Sequence, residues 1–271
     1  SPLVLHGQKA LQAAACTQTQ TKLYGLHLPP VDHVISVAIL RLDGFISHGE
    51  MLGSATIDRR ILLETVSMKL YHAPGTRSVR VVWLLEELGL PYELELHKLG
   101  DPAMRSPEYL KVHPMGRVPA LEDGDVTIYE SGAIVQYLIG RHSDGKMAPG
   151  PSSAHYADYL QWLHYAEGMI MPPVNIIVVE TVLLPPERMN QTNVDRAKKL
   201  LSRMLTAVEA HMEGREFIAG DFSGADIMTG HACTVAMRRL GEDVSGLPNV
   251  AAYVERLNAR PALKKAWETG V

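Results

Sequence analysis

Hydrophobic residues from Met68 onwards recur first with the two-residue period of β-strands and later with the period of helices. Strands are predicted over residues 68–71 and 92–97. Between them lies an amphipathic helix, predicted over residues 78–88 and ended by Gly89. A strand, a helix and a second strand in this order predict a parallel strand pair joined by a right-handed crossover.

Two more short strands, over residues 120–122 and 126–129, follow a loop. They flank the sequence Asp-Gly-Asp at 123–125, which is a strong hairpin signal. A helix is then predicted over residues 131–141. The order βαβ followed by ββα indicates an α/β, thioredoxin-like domain over residues 68–145.

Beyond the linker rich in Gly, Pro and Ser at 145–153, every apolar repeat has helical period. This pattern predicts an all-α domain over residues 153–271. Pro172 and Pro173 should kink or break its first helix. The predicted helices cover residues 153–182, 191–213, 224–240, 248–259 and 261–268.

Residues 1–67 show no sustained period and include a polar Gln/Thr run and Pro29-Pro30. They begin with Ser1, and scattered acidic residues argue against an organellar presequence. We expect an extension that is leader-derived or disordered, with Met68 as the original start. A small regulatory or docking segment is the alternative.

Composition narrows the class of protein. The formal net charge of −4 provides no basic field for nucleic acid or an anionic membrane, and no uninterrupted run of 18 apolar residues occurs. The two cysteines, Cys16 and Cys233, form no CxxC motif, and the twelve histidines form no HxxxH motif. A cytoplasmic protein without a metal, nucleic-acid or membrane partner is expected.

Val118-Pro119 is the first candidate for chemistry. A proline that opens a strand after a loop is a natural site for a cis bond, which would turn the backbone groups of Val118 outward. Those groups can pair with an extended peptide in the manner of a neighbouring strand. The structural alternative is that Pro119 only marks the start of an edge strand and has no role in binding.

Glu130 and Ser131 stand where the last strand gives way to a helix. A serine hydroxyl and the free N–H groups of a helix N-terminus form an anion site, and the Glu130 carboxylate would accept an ammonium group. The pair therefore matches the zwitterionic head group of an amino acid. The alternative is a simple helix cap beside a solvated glutamate. A trans Val118-Pro119 bond, or a helix N-terminus covered by protein, would exclude a joint binding site formed by Val118, Glu130 and Ser131.

The turn after the first strand carries hydroxyl groups at a helix N-terminus. Thr76 and Ser78 can donate to a thiolate and so lower the pKa of a bound thiol, while Arg77 can assist through its charge. The alternatives are purely structural roles: Ser78 would be a simple helix cap and Arg80 a solvated charge on the helix. The sequence leaves this choice open.

Three segments in this order resemble the cytosolic glutathione transferase superfamily, and most closely its bacterial and fungal group: LYHAPGTRSVRVVWLLEELGLPYE, HPMGRVPAL and ESGAIVQYL. The resemblance covers residues 68–271. It implies a thioredoxin-like α/β N-terminal domain followed by an all-α C-terminal domain, the glutathione transferase fold. Ser223 and Asp226 look like the structural S-x-x-D capping box of the family.

The resemblance also implies roles for individual residues. Val118 would pair with the cysteinyl backbone of glutathione, Arg117 would lie near its glycyl end, and Pro119 would be cis. Glu130 and Ser131 would take the γ-glutamyl head.

For activation of the sulfur, Thr76 falls where insect-type members have their serine. Arg77 falls where another bacterial class has a cysteine, so no mixed disulfide with glutathione is expected at this site. Thr76, Ser78 and Arg77 therefore stand as the catalytic candidates.

The function that these expectations imply is conjugation of the glutathione thiolate to electrophilic, largely apolar small molecules, as in detoxification, by a homodimer. The second substrate would contact Trp162, Tyr165 and Met169 on the first long helix of the helical half, although such residues are also typical of a core or dimer interface. A non-catalytic module that binds glutathione or another ligand is one alternative. A glutathione-dependent dehalogenase, isomerase or peroxidase is another.

Overall fold

The computed structural model describes residues 68–240 and 246–271, so the expectation for residues 1–67 lies outside the described residues. The chain first builds a four-stranded sheet. Its strands are β1 (Met68–His72), β2 (Glu93–Leu96), β3 (Ala120–Asp123) and β4 (Val126–Tyr129), in the spatial order β2-β1-β3-β4. The β1–β2 pair is parallel and the other two pairs are antiparallel.

Helix α1 (Ser78–Leu88) makes the crossover between β1 and β2, as the sequence predicts. Its buried residues include Val79, Val82 and Trp83. The helix ends at Gly89, whose φ of 65° lies in the left-handed region that glycine adopts without steric cost.

Two short helical segments and one longer helix complete this part of the chain. A 3₁₀ turn (Pro102–Arg105) and α2 (Tyr109–Val112) precede β3, and α3 (Ser131–His142) follows β4. The thioredoxin-like arrangement that the sequence predicts is confirmed.

The remaining described residues are almost entirely helical. The α-helices are α4 (Tyr156–Tyr165), α5 (Met171–Val178), α6 (Gln191–His211), α7 (His231–Leu240), α8 (Pro248–Asn258) and α9 (Pro261–Glu268). π-Helical turns at Ala166–Ile170, Val179–Leu183 and Asp226–Gly230 join or precede them, and a 3₁₀ turn covers Pro186–Arg188.

The first predicted helix is not broken at its prolines, because the helical run continues from Tyr156 to Leu183. Pro172 and Pro173 lie near the start of α5, and the π-helical turn Ala166–Ile170, which changes the hydrogen-bond pattern of the helix, comes directly before α5.

The helical run Tyr156–Leu183 has 28 residues and contains an 18-residue stretch apolar enough to cross a membrane by length and composition alone. The core helix of a globular protein passes the same test. Trp162, Leu163 and Ile170 from this run are buried in the main hydrophobic core, and α5 packs along α6. We therefore interpret the run as a core element.

The main core is continuous from the sheet to the helices and contains Trp83, Leu121, Leu138, Trp162 and Tyr253. A second, smaller cluster comprises Tyr71, Met104, Tyr109 and Ala120, and the side chain of Val118 packs against it.

Candidate functional site

Strand register brings the three candidate segments to one edge of the sheet. Tyr71, near the end of β1, is paired with Ala120 at the start of β3, and Ala120 is paired with Tyr129 at the end of β4. The turn that carries Thr76 follows β1, Pro119 precedes β3, and the start of α3 follows β4. Residues far apart in sequence therefore meet at one edge.

The Val118-Pro119 peptide bond is cis, as expected. The Val118 side chain faces the small cluster beneath it. Among the described residues, neither the backbone N–H nor the carbonyl of Val118 has a backbone hydrogen-bond partner. A short open edge of main chain therefore remains for an extended peptide.

The start of α3 is more enclosed than the sequence suggests. Ser131 is only 3% exposed, because its hydroxyl lies against the Arg80 guanidinium and accepts a hydrogen bond from Nη1 at 3.0 Å. The flanking Glu130 and Ala133 are exposed, so the helix tip as a whole is not covered. Since Arg80 is a donor, the proton of the Ser131 hydroxyl stays available for an acceptor such as a carboxylate.

Glu130 itself has an unusual backbone conformation. Its φ is 75°, which is uncommon for a residue with a side chain. Its carbonyl accepts the first helical bond, from the N–H of Ile134 at 2.9 Å. The carboxylate is thus carried next to the N-terminus of α3 by a sharp backbone turn.

His72, which is buried at the end of β1, determines the direction in which the Ser78 hydroxyl donates its proton. The Nε2 atom of His72 is 3.1 Å from the Thr269 carbonyl oxygen, which only accepts, so Nε2 carries the ring proton. Burial lowers the pKa of His72, which keeps the ring neutral and leaves Nδ1 as an acceptor. Ser78 Oγ, 2.8 Å away, therefore donates to Nδ1.

Only one of the two candidate hydroxyls is accessible. Ser78 is fully buried, and its Oγ accepts the N–H of Ala73 at 3.1 Å. Thr76 is half-buried, and its Oγ1 lies 2.7 Å from Ser78 Oγ and 2.7 Å from the Ala73 carbonyl oxygen. The Ser78 hydroxyl thus belongs to a buried hydrogen-bond network with Ala73 and His72, whereas Thr76 lies at the surface of the turn.

Arg77 and Arg80 converge on Glu167, which belongs to the π-helical turn after α4. Arg77 Nε is 2.9 Å from both carboxylate oxygens, and Arg80 Nη1 makes a very short contact with Oε1. Burial by itself would raise the pKa of Glu167, but the two guanidinium groups hold it below its ordinary value. Glu167 is therefore an anion that joins the N-terminal end of α1 to the helical part.

His231 completes the surroundings of Arg80. Its Nδ1 accepts from Arg80 Nε at 3.1 Å, and its ring stacks on Trp267 with a centroid distance of 5.2 Å. Burial and the nearby arginines hold the pKa of His231 well below its ordinary value, so the ring is neutral. Arg80 is fully buried, not a solvated helix charge.

The three residues expected in a second-substrate pocket lie in different environments. Trp162 is 3% exposed and packs against Tyr165 and His211 inside the helical part. The Tyr165 hydroxyl donates to the Met204 carbonyl oxygen at 3.0 Å. Met169 is 48% exposed and is the most accessible of the three.

Thiols and clusters of metal ligands are two further sources of reactivity in proteins. Cys233 is buried, which raises the pKa of its thiol to about 12 and removes it from nucleophilic chemistry at neutral pH. Within residues 68–240 and 246–271, no cluster of three His, Cys, Asp or Glu side chains is arranged to hold a metal ion.

Comparison with known proteins relates the chain to one family. Residues 66–140 match the family model of the glutathione S-transferase N-terminal domain, and residues 171–261 match that of the C-terminal domain. Glutathione S-transferase 4 of Zea mays is 36% identical over 191 residues, which cover 69% of this chain and 85% of the relative.

Solved structures of glutathione transferases are also similar to this chain. Glutathione transferase URE2P6 from Phanerochaete chrysosporium, in complex with oxidized glutathione, is 30% identical with a TM-score of 0.68, and the match covers 76% of this chain and 97% of that one. A glutathione transferase family member from Pseudomonas fluorescens, with two glutathione bound, is 27% identical with a TM-score of 0.68, and the match covers 74% and 92% of the two chains.

Proposed function

The chain belongs to the glutathione S-transferase family, and from that premise we propose that it binds glutathione and conjugates its thiolate to electrophilic, largely apolar small molecules. The open main-chain edge at Val118, beside the helix tip at Ser131 and the Thr76 hydroxyl, is the observation that carries this proposal. A cytosolic location is part of the proposal.

In the proposed complex, the backbone N–H and carbonyl of Val118 pair with the cysteinyl residue of glutathione. Glu130 takes the γ-glutamyl ammonium group, and the Ser131 hydroxyl with the neighbouring N–H groups takes the carboxylate. The exposed Arg117 side chain suits the glycyl carboxylate. The buried Arg80 cation behind Ser131 supports an anion at this position.

The chemical step needs little more than an ionised thiol. The thiol proton leaves to solvent, the sulfur forms a bond to the electrophilic carbon, and the leaving group departs with its electron pair. We assign the stabilising donor to Thr76, because the Ser78 proton is directed to His72 and the Arg77 charge is paired with Glu167. Holding the two reactants together supplies the rest of the acceleration.

Thr76→Ala is expected to raise the pKa of the bound glutathione thiol by about one unit and to lower kcat/KM about 10- to 100-fold. Thiolate absorbance against pH, measured on the full chain, gives the pKa, and a chromogenic aryl halide gives the rate. Thr76→Ser is the matched control and should retain both values. Failure of the wild-type protein to bind glutathione would overturn the proposed function.

A non-catalytic glutathione-binding module is the second candidate. The Thr76 hydroxyl already has an acceptor in the Ala73 carbonyl oxygen at 2.7 Å, and that bond competes with donation to sulfur. Binding of glutathione with a thiol pKa unchanged from about 8.5 would favour this candidate. Product analysis with haloalkane, isomerisable and peroxide substrates separates conjugation from dehalogenase, isomerase and peroxidase activities.

We also propose that the chain forms a homodimer through the exposed apolar residues of α5 and the turn that follows, Ile176, Val179, Val182 and Leu183. Light scattering should give twice the chain mass of 29.8 kDa. Val179→Glu combined with Val182→Glu should shift the mass to that of a monomer. Leu96→Glu, a change at an exposed leucine of β2, is the control and should leave the mass unchanged.

A further inference from the structure

Two side chains brace the loop that leads to Val118. Arg105 Nη1 donates to the Met115 carbonyl oxygen at 2.7 Å, and the Tyr109 hydroxyl donates to the Arg117 carbonyl oxygen at 2.7 Å. Both donors come from the segment that covers the small cluster, the 3₁₀ turn Pro102–Arg105 and α2. The carbonyl groups of Met115 and Arg117 are thus both held by donors from this one segment.

The bond from Tyr109 acts on the peptide unit that matters for ligand binding. The Arg117 carbonyl and the Val118 N–H belong to the same planar amide, so the direction of the oxygen sets the direction of the N–H. A hydrogen bond to the oxygen also polarises the amide and makes its N–H a stronger donor. The Val118 N–H has no backbone partner among the described residues.

Tyr109 is itself held firmly. The residue is 5% exposed, and its ring packs edge-on against Tyr71 and His97 at centroid distances of 5.4 and 5.0 Å. Its backbone N–H donates to Ser106 Oγ at 3.1 Å. Burial raises the pKa of the hydroxyl above its ordinary value, so that it remains a neutral donor at working pH.

The loop lies close against this support. A Cβ atom added at Gly116, whose φ is 56°, would come within 2.3 Å of the Met104 carbonyl oxygen. The contact leaves no room for a side chain, so the loop at Gly116 lies against the 3₁₀ turn Pro102–Arg105. The hydroxyl therefore meets a carbonyl whose position is already restricted.

We infer that Tyr109, with Arg105, is a positioning residue for glutathione: it orients the Arg117–Val118 amide so that the Val118 N–H points at the cysteinyl carbonyl of the ligand. This inference rests on the proposed function. Tyr109 does not touch the ligand, and its effect is on affinity for glutathione, not on the reaction of the sulfur.

Tyr109→Phe tests the inference, because it removes the hydroxyl and keeps the ring. The dissociation constant of glutathione, measured by calorimetry on the full chain, should rise about five- to tenfold, the size expected for one neutral hydrogen bond. The KM for glutathione should rise in proportion while kcat at saturation stays within about twofold. Tyr92→Phe is the matched control, since the Tyr92 hydroxyl donates to Glu86 at 2.7 Å, outside the site.

Amide hydrogen exchange gives a readout that a purely structural role would not move. Glutathione should protect the Val118 N–H in the wild type and in Tyr92→Phe, and less so in Tyr109→Phe. Equal dissociation constants in the two folded Tyr→Phe variants would overturn the inference. Should Tyr109→Phe not fold, Arg105→Met takes its place, and an unchanged constant there would overturn it.

The two proposals fail in different ways. Absence of glutathione binding by the wild-type protein removes the proposed function and the inference together. Binding by the wild type with no effect at Tyr109 or Arg105 removes the inference alone.

Discussion

Replacement of Asp226 by alanine is expected to lower the free energy of unfolding by about 3 to 5 kcal/mol. The carboxylate is fully buried and accepts four hydrogen bonds: from the backbone N–H groups of Ile218 and Ser223 at 3.0 and 2.9 Å, from Ser223 Oγ at 3.2 Å and from the Tyr253 hydroxyl at 2.7 Å. Alanine would leave these buried donors unpaired. Urea unfolding monitored by circular dichroism measures the loss.

Two matched variants separate this network from an ordinary helix cap. Ser223→Ala removes one of the four donors and should cost about 1 kcal/mol. Asp221→Ala changes an exposed acidic residue of the same loop and should be neutral within about 0.5 kcal/mol. A loss for Asp226→Ala no larger than that for Ser223→Ala would show that the carboxylate is a simple cap.

The fold follows from local patterns. Val79, Val82 and Trp83 recur at helical spacing, and Gly89 ends the helix in the left-handed conformation that its position suggests. The hairpin at 123–125 is also a short-range feature. These features depend on neighbours in sequence, which is why the sequence alone predicts them. The cis Val118-Pro119 bond differs, because most X-Pro bonds are trans and it was the resemblance to a family that implied the cis form.

The electrostatics of the site depend on partners distant in sequence. Glu167 lies 87 residues from Arg80, and His231 lies 151 residues from it, so no local pattern pairs them. One local signal did exist, because Trp83 and Leu84 follow Arg80 by three and four positions and so place it on an apolar side of its helix. A charge at such a position requires a buried counter-charge.

The sequence could not decide between the candidate hydroxyls either, because this choice also depends on partners that are distant in sequence. Ser78 and Thr76 stand two positions apart and offer the same chemistry. They differ because His72 takes the proton of Ser78, and His72 is oriented by the carbonyl of Thr269, 197 residues away. That carbonyl is within reach because α9 packs along α1.

Glu167→Ala is expected to weaken both the fold and the proposed site. Without this carboxylate, Arg80 remains a buried cation whose hydrogen-bond partners among the described residues are only Ser131 and His231, which should lower the free energy of unfolding by about 2 to 4 kcal/mol. Arg77 loses its charged partner as well and keeps a hydrogen bond to Asn175, and the Ser131 hydroxyl loses a firmly held donor. The dissociation constant of glutathione should rise about tenfold or more, measured by calorimetry.

Glu167→Gln supplies the pH test, since glutamine keeps the shape and cannot ionise. The arginines hold the pKa of Glu167 below its ordinary value of about 4.3, so its stabilising effect is complete above that pH and is lost as the pH falls through the lower, folded-state pKa. The stability difference between the wild type and Glu167→Gln should therefore shrink on acidification. Glu187→Gln, a change at an exposed carboxylate, should show no such trend. A difference that stays constant down to pH 3 would mean that the packing of this side chain matters more than its charge.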